Sequence, residues 1–144
     1  MKKNVVLVTG APRSGTTVVG DILSFADNTD YIYEPFNYYA GLADVSKYFE
    51  FNGYGLTSER LDKRVESLLS FKCKFKKGVY PEDNYIKRVF KNFFGSRNKL
   101  TFMRCKYNPL LKTMIWKDPF AFFNHDYLVS TGIKIIVTYR PPAS

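Results

Sequence analysis

Apolar and polar residues fall in blocks along this chain, and the block lengths separate strands from helices. Val5–Thr9 is a short run of mostly β-branched apolar residues stopped by Gly10, the pattern of a buried strand in a parallel sheet. Thr16–Ala26 predicts a helix, with Val18, Val19, Ile22, Leu23 and Phe25 forming a broad apolar face. The turn cluster Asp27-Asn28-Thr29-Asp30 follows, and Tyr31-Ile32-Tyr33 predicts a second short strand, stopped by Pro35. Residues 38–56, rich in rings and glycines, predict a loop with one helical turn. Thr57 or Ser58 caps a helix running to about Phe71, with Leu61, Val65, Leu68 and Leu69 inward. Pro81, Glu82 and Asp83 open another helix that reaches Phe94, with Ile86, Val89, Phe90 and Phe93 at helical spacing and Gly95 as the stop. Thr113–Trp116 reads as a strand. Asp118 and Pro119 then open a helix to about Ser130, as N-cap and first helical residue, and Gly132 closes it. Ile133–Tyr139 is a last strand. Strands alternating with helices predict an α/β fold with a parallel sheet.

Composition narrows the class. At 144 residues the chain is about one domain in size. Its 45% hydrophobic and 24% charged content excludes disorder, collagen and coiled coil. Aromatic residues reach 17%, more than one small core needs; most are expected in the core and turns, with a groove or a partner surface as the alternative for the rest. The net charge of +9 attracts phosphate-bearing partners. The basic run Phe71–Lys77 is expected to be a solvated face. Cys73 and Cys105 form neither a metal-ligand cluster nor a disulfide framework, which fits a reducing compartment. No segment approaches the ~18 apolar residues of a membrane helix, and the apolar run after Met1 is too short for a signal peptide. A soluble, cytoplasmic protein is expected. Helix-turn-helix, zinc-finger and RNP signatures are missing, so no nucleic-acid partner is expected. His125, the single histidine, falls inside a predicted helix and is assigned a structural or surface role.

The chemistry concentrates at Gly10-Ala11-Pro12-Arg13-Ser14-Gly15-Thr16-Thr17. This segment sits between a buried strand and a helix, where a phosphate loop must sit. Glycines let backbone N–H groups converge on an anion, and the helix adds its dipole and unpaired amides. Thr16 and Thr17 can donate hydroxyl bonds, and Arg13 a charge-assisted fork. The spacing follows the Walker A template, but Thr16 stands where that template has its lysine. The cation instead lies three residues earlier, at Arg13. Such a loop suits a shorter 5′ group better than a magnesium-bound triphosphate.

Pro12-Arg13-Ser14-Gly15-Thr16-Thr17 resembles the 5′-phosphosulfate loop of sulfotransferases that use 3′-phosphoadenosine 5′-phosphosulfate (PAPS). Tyr33-Glu34-Pro35-Phe36, Lys117-Asp118-Pro119-Phe120 and Ile135–Arg140 are similar, in the same order, to segments of the Golgi-type carbohydrate and tyrosylprotein branch. The resemblance implies the P-loop-NTPase-like sulfotransferase fold, a parallel sheet flanked by helices, and metal-free chemistry with PAPS as co-substrate. It implies catalytic roles for three residues: Glu34 as general base, Lys117 on the transferring sulfonate, and Arg13 on the 5′-phosphosulfate. It implies donor binding by Arg13, Ser14, Gly15, Thr16 and Thr17, and by Arg140 at the 3′-phosphate. Asp118 is read mainly as a helix N-cap, not as a catalytic acid. The implied acceptor is a hydroxyl of a carbohydrate or glycolipid, and Tyr31, Tyr33, Phe36, Tyr38 and Tyr39 are candidates either for stacking on sugars or for the core. The family domain is about twice this length, so residues 1–144 are expected to be its N-terminal part, with the 3′-phosphate site incomplete and Ser144 not equated with the family's serine. Three other functions remain open: a kinase-like P-loop phosphotransferase, an inactive nucleotide-binding fragment, and a non-enzymatic basic binding protein.

Overall fold

The computed structural model describes residues 4–141, so Ser144 lies outside the described residues. Four strands form a parallel sheet: β1 (Asn4–Gly10), β2 (Thr29–Tyr33), β3 (Thr113–Lys117) and β4 (Lys134–Thr138). Their order is β2-β3-β1-β4, with β1 paired to both β3 and β4. Because every strand points the same way, Gly10, Tyr33, Lys117 and Thr138 all end at one edge. Ligands of open α/β sheets bind outside that carboxyl edge.

Strand alternation divides the sheet into two faces. Val6, Val8, Tyr31, Tyr33 and Ile115 share one face with Val19 and Leu23 of helix α1 (Thr16–Leu23). Leu7, Ile32, Met114 and Trp116 share the other with the larger core, which includes Leu61, Val65 and Leu68 of α2 (Ser58–Leu69). Thr57 caps α2, and its side chain accepts from the Arg60 amide. The inward residues expected for this helix are buried, with Leu69 partly so.

Several expectations need correction. Only Val19 and Leu23 of the α1 apolar face pack on the sheet; Val18, Ile22 and Phe25 are exposed. The strand expected over Tyr31–Tyr33 begins at Thr29, so part of the expected turn is strand. Residues 38–56 include a paired Phe51–Asn52 and Gly55–Leu56. Helix α3 (Tyr85–Phe94) starts after Asn84, whose side chain caps the Lys87 amide, and none of its residues is buried. A helix that the apolar pattern did not predict, α4 (Arg97–Tyr107), packs along β2. Its buried residues are Asn98, Phe102 and Cys105, too few and too polar to show as a stripe. The segment after Asp118 is a 3₁₀ turn, Pro119–Asn124, followed by α5 (His125–Ser130), rather than one helix.

The basic run is not simply a solvated face. Phe71 is buried, Phe75 packs on Phe102, and the Lys76 ammonium turns in to the carbonyls of Tyr38 (2.6 Å) and Val45. Burial depresses the Lys76 pKa, and the carbonyls satisfy its protons. Lys72, Lys74 and Lys77 are exposed as expected. Cys73 is a free thiol that burial pushes up to about 11, and Cys105 lies in the core.

Buried Arg64 on α2 ties down the loop before it. Its guanidinium meets Glu50 at 2.8 Å and Asp44 at 2.7 Å. Burial alone would raise the Glu50 pKa, but hydrogen bonds from Ser46 and Arg64 outweigh it and hold the carboxyl below its usual range.

Candidate functional site

The loop after β1 has the shape of an anion cradle. Gly10 has φ +145°, and a Cβ there would lie 2.3 Å from the Thr138 carbonyl, so the β1–β4 approach demands glycine. Arg13 (φ 67°) and Gly15 (φ 92°) are left-handed, which curls the backbone. Ser14 closes the curl twice. Its amide donates to Ala11 (3.1 Å), and its hydroxyl shares a 2.6 Å bond with Thr138, tying the loop to β4. Gly15 precedes α1 with no side-chain cap and with open space where a Cβ would be. The first amides of α1 therefore have no capping side chain and suit an anion.

Glu34 leaves the end of β2 in a left-handed conformation, φ 42°, unusual for a non-glycine residue. The surroundings enforce it. Its amide donates to the Lys117 carbonyl at 2.8 Å, and its carbonyl accepts from Asn98 Nδ2 at 2.9 Å. Its carboxylate is fixed on both oxygens: Oε1 pairs with Lys117 Nζ, and Oε2 accepts from Asn37 Nδ2 at 3.0 Å. The Lys117 side chain is 3% exposed and that of Glu34 12%. The Lys117 ammonium also lies 4.4 Å from the centre of the Tyr33 ring. Asn37 is oriented in turn by the Tyr39 and Ala40 amides on its Oδ1.

Asp118 does more than cap. Its Oδ1 accepts from the Phe120 amide at 3.0 Å, the expected N-cap bond. Its Oδ2 accepts from the Phe36 amide (2.7 Å) and Trp116 Nε1 (3.2 Å). One buried carboxyl thereby ties the loop after Glu34 to the strand carrying Lys117. Burial pushes its pKa up to about 7, and nearby Glu34 adds to the rise, against the pull of those three donors.

These residues meet around two neighbouring cavities. One of about 410 Å³ is lined by Arg13, Gly15, Thr16, Thr17, Glu34 and Lys117, with Tyr33 and Phe120 as rings. The other, about 490 Å³, is lined by Arg13, Ser14, Thr138 and Arg140. Pro12 and Arg13 line both. The residues named from the sequence for catalysis and donor binding thus come to one edge of the sheet. Arg13 and Arg140 are exposed and have no ion-pair partner among the described residues, which leaves both guanidiniums available to an anion. His125 lines neither cavity; it bonds the Phe122 carbonyl at 2.9 Å.

Asn37, Asn98 and the Phe36 tie of Asp118 escaped sequence reasoning. Only Asn37, three residues past Glu34, carries a local signal. Among the five rings first considered, Tyr31 and Phe36 are core. Tyr38 and Tyr39 join Tyr48, Tyr80 and Phe120 in a continuous set of ring contacts that reaches the first cavity. Among the described residues, no helix is long and apolar enough to cross a membrane. Comparison with known proteins adds no family: no family model, curated protein or solved structure matches the chain.

Proposed function

We propose that the chain is the catalytic core of a cytoplasmic sulfotransferase that moves a sulfuryl group from PAPS to a hydroxyl of a carbohydrate or glycolipid. The observation that carries this is the shared cavity: a phosphate-type loop with Arg13, Thr16 and Thr17 faces a fixed Glu34–Lys117 pair. The donor supplies the sulfuryl group and a bisphosphate leaving group. The 5′-phosphate end fits the uncapped α1 amides, Thr16, Thr17 and Arg13. The 3′-phosphate fits Arg140 across the second cavity.

Sulfuryl transfer needs a base, cations on the migrating group and in-line positioning. Glu34 accepts the acceptor's hydroxyl proton as the new O–S bond forms. The old S–O bond breaks, and its electron pair stays with the 5′-phosphate, where Arg13 and the α1 amides offset the charge. Lys117, drawn from Glu34 toward the sulfonate, stabilises the equatorial oxygens and releases Oε1 to act as base. The ring set running from Phe120 to Tyr80 offers faces for a sugar to stack on. The Walker lysine is replaced by Thr16, which disfavours a magnesium–triphosphate reaction.

The test is transfer of radiolabelled sulfate from PAPS to a panel of mono- and oligosaccharides. Labelled product, lost in Glu34→Gln, is expected. Label transfer that survives the substitution removes Glu34 as base, and donor left unconsumed by the whole panel counts against the function.

A further inference from the structure

Helix α3 is turned inside out. By its 3.6-residue period, Tyr85, Ile86, Val89, Phe90, Phe93 and Phe94 occupy one half of its circumference, and Lys87, Arg88, Lys91 and Asn92 the other. A surface helix normally buries the first half. Here Tyr85 is 82%, Ile86 76% and Phe93 81% exposed, and the other three are exposed as well. The polar half is the one tied back to the protein. Lys91 bonds Asp83 at 2.6 Å and lies over the Tyr80 ring, and Arg88 bonds the carbonyls of Asp83 and Pro81.

Charge singles out the occupant. Residues 84–112 hold eight Lys or Arg and no Asp or Glu. Lys87 at the start of α3, and Lys99, whose stem lies against Gly95 at its end, are exposed and have no carboxylate within ion-pair distance among the described residues. Arg97 and Arg104 reach Asp21 and Asp30, and Glu82 is the remaining carboxylate beside the helix start. An apolar ridge with cations at both ends matches an anionic bilayer surface: rings enter the acyl boundary while lysines meet phosphate headgroups. A twofold contact between two copies through this ridge would set the same cation-rich segment against itself. A convex ridge also offers no groove to receive a peptide helix.

We propose that α3 is an interfacial membrane anchor, lying in the plane of an anionic lipid surface with Ile86, Val89, Phe90 and Phe93 buried in it. The inference is independent of the chemistry proposed at Glu34.

The experiment is co-sedimentation of the chain with phosphatidylcholine vesicles, with and without phosphatidylglycerol. Binding is expected to the anionic vesicles and to weaken with salt. Phe90→Ser combined with Phe93→Ser should lower the partition coefficient by about tenfold or more, since two rings lose their apolar burial. Neither ring packs on the core, so circular dichroism should show an unchanged fold. A separate Phe93→Trp variant should shift its emission to the blue on anionic vesicles only. Three results would overturn the proposal: no vesicle binding, binding that the double substitution leaves intact, or a dimer in light scattering that the double substitution dissociates.

Discussion

Glu34 is held by Lys117 and Asn37 on its carboxylate, and by Lys117 and Asn98 on its backbone. A side chain so fixed needs little reorganisation to meet an acceptor hydroxyl. Glu34→Gln should therefore leave donor affinity near its original value while transfer falls by about 100-fold or more, the usual span of general-base loss. At Gly15 the backbone alone sets the requirement, because φ is 92° and the space beside it is open. Gly15→Ala should cost about 1–2 kcal/mol in urea unfolding, the cost of a left-handed Cβ. Glu34 and Lys117 were legible because parallel strand ends share an edge. Asn98 was not, since its partner lies 64 positions away and nothing local marks it.

At the scale of elements, Asp118 binds three of them: the loop after β2, strand β3 and the 3₁₀ turn. Its pKa rises from 3.8 to about 7 on folding. Between those values the folded state keeps a proton that the unfolded chain has lost. The contribution of Asp118 to stability is therefore full below about pH 4 and is lost as pH rises through about 7. Urea midpoints across this window should show a falling component that Asp118→Asn abolishes. Helix α2 tests a different hold. Arg64→Leu strands Glu50 as a buried carboxylate and should cost about 3–5 kcal/mol by the same measurement. The apolar periods of α1 and α2 were readable, but period cannot tell a face that meets the core from one that meets something else. The spacing of Ile86 and Phe93 therefore predicts their helix but not their exposure. Arg64 went unnoticed for the converse reason, since a cation buried between two carboxylates interrupts the apolar stripe that it belongs to.

At the scale of the whole molecule, the order β2-β3-β1-β4 converts dispersed sequence signals into one site. Gly10, Glu34 and Lys117 lie far apart in sequence, yet β1 and β2 flank β3 and bring their ends together. β4 adds Thr138 and Arg140 on the other side of β1. The alternation of strands and helices made a parallel α/β sheet legible; the neighbour order was not, because every strand carries a similar apolar signal. The excess positive charge is consistent with a phosphate-rich ligand at this edge and an anionic surface at α3.

The central claim is that this edge binds an adenosine bisphosphate donor through Arg13, the α1 amides and Arg140. Calorimetric titration with 3′-phosphoadenosine 5′-phosphate, with Mg-ATP as comparator, tests it most directly. The account predicts binding that needs no metal, prefers the bisphosphate and weakens by about tenfold or more in Arg13→Ala, the loss of a charge-assisted contact. A preference for Mg-ATP, or bisphosphate binding that is indifferent to Arg13, would contradict it.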